Sequence, residues 1–512
     1  MENITIDKDD KMRRFELIGI LIVGILLFAS CQDDHGDKKK NLPNIILIMG
    51  DDHGYEETGY NGHPFIKTPV LDEMAENGLV LDRFYAAHPS CSPTRGSVIT
   101  GRHPNRYGTF NAGFSIRPEE ISIASLLKQA GYTTGHFGKW HLGPVKSESP
   151  TNPGAMGFDT WVSHDNFFEL NPVLSRNGGA PEKFEGEGSK VIVDETISFI
   201  DKADDTPFFA VVWMASPHEP YEGLPEDLAL YDDLPDSLSS KTFDLTSIKT
   251  GRRVTRPQDS VLQERFAEIT AMDRAIGQLR DYLSSKELKD NTLIWYCGDN
   301  GIPPSGIQYS KLHALKGTIY DGGTKVPGII EWPSAIKEKT ISNVNAVTSD
   351  MLPTLCELAG VPLPNRPLDG VSLAPLIKGN MNNREEPICF WMYDRSTLDK
   401  ENPYISEALQ TGTTPLVKLW GDSYIRVFQN FHHQEIKAEH YNGDRSIIDG
   451  DYKLIVRDLE EGEVKQLYNI SSDPGERLNM ILSHPEKAEK LEDQLVDWQQ
   501  SVLHSLSEKD YK

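Results

Sequence analysis

Apolar residues fall into short blocks separated by polar turns, and the blocks alternate between two periods. Asn44–Met49 is a continuous apolar run, as in a strand buried on both faces. Val80–Tyr85, Tyr132–Phe137, Pro207–Met214, Thr292–Cys297, Val326–Glu331 and Asn343–Val347 read as further strands. Between them, helical spacing predicts helices over Pro69–Gly78, Ser122–Ala130, Val191–Ile200, Val261–Leu283 and Thr348–Gly360. This alternation predicts an α/β sheet with helices on both faces. From about Glu386 the blocks shorten and hairpin signals appear, as at Asp449-Gly450 and Glu460-Glu461-Gly462. Pro485–Leu503 then carries Leu491, Leu495, Trp498 and Val502 on one helical face, which predicts a small antiparallel sheet closed by a helix.

Two stretches break the pattern. Pro144–Ser189 lacks periodicity and is rich in Gly, Pro and Asn, as functional loops often are. His164, Asp165, Asn166 and Phe167-Phe168 are its candidates to line a pocket, with packing onto the body the blander alternative. Gly223–Ser239, together with the basic stretch Lys249–Arg256, reads as a long insertion or mobile lid.

The N-terminus reads as export machinery. Lys8, Lys11, Arg13 and Arg14 precede an apolar run, Leu17–Phe28, that is short for a membrane span. Phe28-Ala29-Ser30-Cys31 resembles a bacterial lipobox, with Phe28 where Leu is usual; a cleaved signal or a membrane anchor is the alternative. Met12 is an alternative start. The expected division is a signal segment over 1–31, a polar tether over 32–42, a large domain over 43–385 and a C-terminal α+β part over 386–512. The expected location is the periplasm or the outer-membrane or cell surface of a Gram-negative bacterium, with membrane contact only through a lipid anchor or signal segment.

At 512 residues the chain exceeds one ordinary core. A net charge of -25 argues against nucleic acid as a partner, because phosphate binding needs a basic face. Five cysteines (Cys31, Cys91, Cys297, Cys356, Cys389) make no disulfide framework.

The chemistry-bearing residues collect at predicted strand ends. Asn44–Met49 runs into Asp51-Asp52, and Thr292–Cys297 into Asp299-Asn300: carboxylate and amide oxygens suited to a hard cation, though also ordinary turn residues. Tyr132–Phe137 leads to Gly138-Lys139-Trp140-His141-Leu142-Gly143, and Pro207–Met214 to Ser216-Pro217-His218. Val80–Tyr85 leads to Cys91-Ser92-Pro93-Thr94-Arg95, where Thr94–Thr100 predicts a short helix stopped by Gly101, with Cys91 at its N-terminus. Lys316 opens Lys-Gly-Thr-Ile-Tyr-Asp-Gly-Gly-Thr-Lys-Val-Pro, and Lys311 and His313 lie just before it.

The string Cys-x-Pro-Thr-Arg, four residues, then Thr-Gly-Arg resembles the signature of the type I sulfatases. Gly-Lys-Trp-His-Leu-Gly and the Lys316 string, with Asp321 and Lys325 as mild departures, resemble the same family, over about Pro43 to Ser505. The resemblance implies a large, mixed, mostly parallel sheet between helices, like alkaline phosphatase. It implies that Cys91 is oxidised to formylglycine by a dedicated maturase. It also implies a calcium ion held by Asp51, Asp52, Asp299, Asn300 and the modified Cys91. Arg95, Lys139 and Lys316 would bind the sulfate, His218 would protonate the leaving alcohol, and His141 would contact formylglycine. The implied substrate is a sulfated carbohydrate of a host glycosaminoglycan, a mucin or an algal polysaccharide. A phosphomonoesterase or phosphodiesterase of the same superfamily and a non-catalytic glycan-binding lipoprotein are the alternatives. Tyr441–Ser446 and His432-His433 are candidates for the rim of the site.

Overall fold

The apolar run at the start of the large domain forms the central strand of the molecule. In the computed structural model the strands are, in chain order, β1 (Asn44–Gly50), β2 (Leu79–Leu81), β3 (Phe84–Tyr85), β4 (Thr133–Lys139), β5 (Thr160–His164), β6 (Val173–Arg176), β7 (Pro181–Lys183), β8 (Phe208–Trp213), β9 (Thr242–Thr246), β10 (Arg253–Pro257), β11 (Thr292–Gly298), β12 (Gly328–Glu331), β13 (Thr340–Ser342), β14 (Ala346–Val347), β15 (Ile388–Trp391), β16 (Arg445–Asp449), β17 (Tyr452–Leu459) and β18 (Gly462–Asn469). The structure describes residues 42–511 apart from 169, 239, 248, 399 and 417–424. The signal segment, Cys31 and nearly all of the tether lie outside the described residues. Residues 43–512 make one unit.

Ten strands form one sheet in the order β13-β2-β12-β11-β1-β8-β4-β5-β6-β7. The inner strands β11, β1, β8, β4 and β5 are parallel, so their carboxyl ends share one edge, where ligands collect in such sheets. Antiparallel pairings appear on both flanks, at β11–β12 and β5–β6. Ile46 and Ile48 of β1 and Ala210 and Val212 of β8 pack in one cluster with Met272, Ile276 and Leu279 of the long helix Gln258–Ser285.

Several elements differ from the sequence expectation. The predicted strand Val80–Tyr85 is two strands that join different sheets: β2 in the main one, β3 paired with β14. Asp82 and Arg83 interrupt its apolar run, and the Asp82 N–H donates to Ser342 (2.9 Å). Pro144–Ser189 is not irregular throughout, since it holds β5, β6 and β7. Its outermost strand, β7, is exposed at all three residues, so it carries no apolar signal. Gly223–Ser239 contains single helical turns, and Lys249–Arg256 supplies most of β10, which pairs with β9 in an antiparallel hairpin. Asn343–Val347 contributes only β14, preceded by β13.

The C-terminal sheet is antiparallel in the order β15-β16-β17-β18. Helix Pro485–Leu506 packs on it through Leu491 and Leu495 against Ile447, Leu454 and Leu467. Among the described residues, Cys91, Cys297, Cys356 and Cys389 are free thiols, and no helix is long and apolar enough to cross a membrane.

Candidate active site

Two glycines set the geometry. In the parallel pair β1–β11, Gly50 lies opposite Gly298, so the next residues of each chain emerge side by side at the carboxyl edge. A side chain at 298 would not fit, because its Cβ would sit 2.2 Å from the His53 carbonyl oxygen. Asp51 and Asp52 follow β1, and Asp299 and Asn300 follow β11, all four buried. The Asp52 N–H donates to Asp299 Oδ1 (2.9 Å), and Asn300 Nδ2 donates to Asp52 Oδ1 (2.9 Å). Asp52 has φ 62°, the left-handed region that costs a non-glycine residue energy, and the contact to Asp299 holds it there.

Cys91 begins the helix Cys91–Thr100, three residues earlier than the apolar pattern suggested, and all ten residues are buried. Gly101 ends the helix at φ 68°, its N–H on Ser97 (2.8 Å). Three of the helix's buried hydroxyls find carbonyl acceptors, Thr94 on His88 (2.7 Å), Ser97 on Thr94 (2.6 Å) and Thr100 on Gly96 (2.9 Å), while Ser92 Oγ makes no hydrogen bond. Arg95, one turn on, donates to Asp299 Oδ2 through Nε (3.1 Å) and Nη2 (2.7 Å), and to the Lys139 carbonyl (3.0 Å). One ligand atom from each of Asp51, Cys91 and Asp299 lies within 4.8 Å of the others, and the same holds for Asp51, Asp52 and His218.

β4 brings Lys139 to the same point. Gly138 before it has φ 99°, and a Cβ there would collide with the Trp213 carbonyl oxygen at 1.9 Å, so only glycine lets β4 approach β8 at this height. Lys139 Nζ pairs with Asp51, and Lys316 Nζ pairs with Asp52. His218 Nε2 lies 3.6 Å from Asp52 Oδ2. His141 is buried with φ 55°, and neither ring nitrogen makes a hydrogen bond. Asp51, Asp52, Cys91, Arg95, Lys139, His141, His218, Asp299, Asn300 and Lys316 thus come together at this edge.

The electrostatics are those of a dry, crowded pocket. Burial pushes the Asp51 carboxyl up and the neighbouring Asp299 adds to the effect, against Lys139, His218 and Arg95. Burial also acts on Asp52, but Lys316, the Asn300 hydrogen bond and Lys139 outweigh it and hold Asp52 below the usual carboxylate range. Burial, then Lys139 and Arg426, keep the His141 imidazole far below its ordinary value and therefore neutral. Burial alone would lower Lys316, yet Asp52, Cys91, Asp51 and Asp299 raise it, so it stays an ammonium.

The donor set fits a hard divalent cation. Its carboxylate and amide donors, Asp51, Asp52, Asp299 and Asn300, offer oxygen, and two of these buried oxygens, Asp51 Oδ1 and Asn300 Oδ1, make no hydrogen bond. Repelling carboxylates with unused lone pairs are what such a cation relieves.

One of the loop candidates, Phe168, belongs to the site, and one further residue, Arg265, escapes the sequence reading. Phe168 stacks on the His218 ring (centroids 4.3 Å apart, 27°) and lies 4.9 Å from Lys139 Nζ. Arg265, on the long helix, is buried against Glu57 and donates to the backbone carbonyls of Asp52 (2.7 Å) and Pro217 (2.6 Å). Its signal was available: Arg265 falls on the apolar stripe of its helix, four residues from both Val261 and Ile269. The other loop candidates serve the scaffold. His164 and Asp165 are fully buried, with His164 Nε2 on the Pro415 carbonyl (2.9 Å) and Asp165 accepting from the N–H groups of Val145, Thr413 and Thr414. His313 packs on Tyr320, and His432 pairs with Glu508.

The family model described as Sulfatase matches residues 43–361. The chain belongs to the sulfatase family. It is therefore a sulfuric ester hydrolase by descent. It is 31% identical over 369 residues to the ulvan-active sulfatase of Formosa agariphila, covering 70% of each chain. It is 31% identical over 389 residues to human arylsulfatase A, covering 68% of this chain and 70% of that one. Among solved structures, Ps i-CgsB in complex with k-i-k-neocarrahexaose superimposes with TM-score 0.70 at 24% identity, over 90% of this sulfatase and 93% of that chain, a likeness of fold.

Proposed function

We propose that this sulfatase removes O-sulfate from a glycan, using formylglycine made from Cys91 and a calcium ion held by Asp51, Asp52, Asp299, Asn300 and residue 91. The observation that carries the reading is the meeting of Cys91, at a buried helix N-terminus, with Asp51 and Asp299 inside a 4.8 Å circle of ligand atoms. A thiol is a poor ligand for a hard cation, whereas an aldehyde hydrate offers oxygen. When present, the hydrated aldehyde and the cation supply a nucleophilic oxygen of lowered pKa and a second hydroxyl for sulfate release.

The chain's own residues do the rest. Arg95, Lys139 and Lys316 supply positive charge where the sulfuryl oxygens develop negative charge, in a site shielded from water. Asp299, gripped by Arg95, is placed to accept a proton from the residue-91 side. His218, stacked on Phe168, protonates the departing alcohol oxygen. His141, held neutral, takes the proton released with sulfate. The glycan assignment is supported by relatives named for ulvan and for N-acetylgalactosamine 6-sulfate. The N-terminal string supports export as a lipoprotein through Cys31, after a maturase has acted on Cys91.

The test is the mass of the Cys91 peptide from a host with formylglycine-generating activity, together with sulfate release from an aryl sulfate and a panel of sugar sulfates. Conversion of the thiol and turnover lost in Cys91→Ala are expected. An active Cys91→Ala variant would sink the assignment.

A further inference from the structure

A cleft of about 170 Å³ opens beside Asp52, His218 and Lys316. If His218 protonates the leaving alcohol, as proposed above, this cleft is where the alcohol part of the substrate lies. The walls beyond the sulfate end come from Glu219 and Tyr221 after β8, from the hairpin β9–β10, and from the prolines after β11.

The chemistry of these walls is uneven. Their ionisable groups are two carboxylates, Glu219 and Asp244, and one guanidinium, Arg253. Arg253 is not a free anion receptor. Its Nη1 donates to Glu219 Oε1 (2.9 Å) and its Nη2 to the Asp244 carbonyl. Asp244 Oδ1 accepts only a neutral donor, the Thr255 hydroxyl (2.5 Å). The far end of the cleft is thus net negative, while its near end holds the cation Lys316. Between them stand two aromatic rings. Tyr221 is fixed by Ser305 (2.6 Å) and Arg265 (3.1 Å), and Phe243 packs on the cluster of Tyr221, Leu245 and Val261. A rigid aromatic wall suits the C–H face of a pyranose, and carboxylates accept hydrogen bonds from hydroxyls.

We infer that the cleft is a subsite for an uncharged, hydroxyl-bearing sugar ring whose scissile sulfate is its only acidic group, and that the hairpin β9–β10 is the specificity element. A second sulfate or a carboxylate on the ring would face Glu219 and Asp244 at the outer end of the cleft. Like charges placed there reject a ligand that the sulfate end would otherwise hold.

The test uses the full matured protein and measures free sulfate from a galactose monosulfate, a matched galactose disulfate and a sulfated uronic acid. The expected kcat/KM favours the monosulfate by about tenfold or more over each doubly acidic sugar. In Glu219→Gln/Asp244→Asn, which leaves Arg253 without its carboxylate partner, that ratio is expected to fall to unity or below. The ratio within one preparation cancels differences in folding or maturation, and Asp244→Asn alone, on the exposed hairpin, repeats the test if the double variant is poorly folded. Equal or reversed preference in the natural protein, or an unchanged ratio in the variants, overturns the inference. Turnover of an aryl sulfate without turnover of any hexose sulfate also overturns it. Failure on the aryl sulfate as well would instead remove the catalytic reading beneath it.

Discussion

Arg265 grips Glu57 in a bidentate pair, Nε to Oε1 at 2.7 Å and Nη2 to Oε2 at 2.5 Å, with both side chains buried. The same guanidinium holds the carbonyls of Asp52 and Pro217, so one cation fixes the backbone under the Asp52 carboxylate and under the residue before His218. Removing either partner of a buried pair leaves an uncompensated charge and costs ~3–5 kcal/mol. Glu57→Gln is expected to show that loss in denaturant melts. Arg265→Lys is expected to lower kcat by about 10–100-fold with a smaller change in KM, because an ammonium cannot serve this fork of acceptors. An Arg265→Lys variant with natural kcat would show that the pair is only structural.

Cation binding at the Asp51–Asp299 edge is expected to stabilise the fold as well as the reaction. A ligand at 100 times its Kd adds about 2.7 kcal/mol. Chelation should therefore lower the melting temperature, and calcium should restore it. Asp299→Asn should abolish the calcium response. A melting temperature indifferent to chelator and calcium would argue against a bound cation.

The C-terminal sheet is tied to the Lys316 segment by Lys453, fully buried, whose Nζ meets Asp321 Oδ1 (2.6 Å) and Glu476 Oε1 (2.8 Å). Burial raises the Glu476 carboxyl even with Lys453 beside it. Lys453→Met should cost ~3–5 kcal/mol at pH 8, with two carboxylates left unpaired. The deficit should shrink at pH 6, because protonation of Glu476 in the folded variant removes one of the charges. Equal deficits at the two pH values would contradict this account.

Much of the site was readable because its chemistry sits on strong local patterns. A continuous apolar run ending in Asp51-Asp52 or Asp299-Asn300 marks a buried strand and its edge without any knowledge of partners. The Cys91 string and its glycine stop are equally local. What was not readable is non-local. The broken strand at Asp82-Arg83 depends on which sheet each half joins. β7 is exposed and polar. His164 and Asp165 carry the residue types of a site, but only the fold shows their bonds spent on loop backbone. Arg265 looks like one surface charge among many until its position on the apolar stripe is noticed. The hairpin β9–β10 has a basic sequence, yet Arg253 and Arg256 are neutralised by Glu219 and Glu264, which pairing alone reveals.

Buried histidines should make the protein acid-labile. Burial holds His103 and His164 down at about 3. Their ordinary value near 6.5 applies in the unfolded chain, so unfolding takes up protons below that pH. Their stabilising share is complete above about 6.5 and is lost as pH falls toward 3, about 2 kcal/mol for each by pH 5. His103→Gln should remove about 2 kcal/mol from the difference in unfolding free energy between pH 7.5 and pH 5. An unchanged difference would mean that His103 is not kept neutral.

The register that sets Gly50 beside Gly298 has a kinetic meaning. Asp52 and Asp299 are 247 positions apart, and they meet only when β1 and β11 zip together. Such a long-range pairing closes late, after local helices and hairpins have formed. A half-folded chain therefore lacks the joined Asp52–Asp299 edge, and activity reports completion of the central sheet. Until then residue 91 is accessible from outside; afterwards, in a helix buried at every residue, it is closed off.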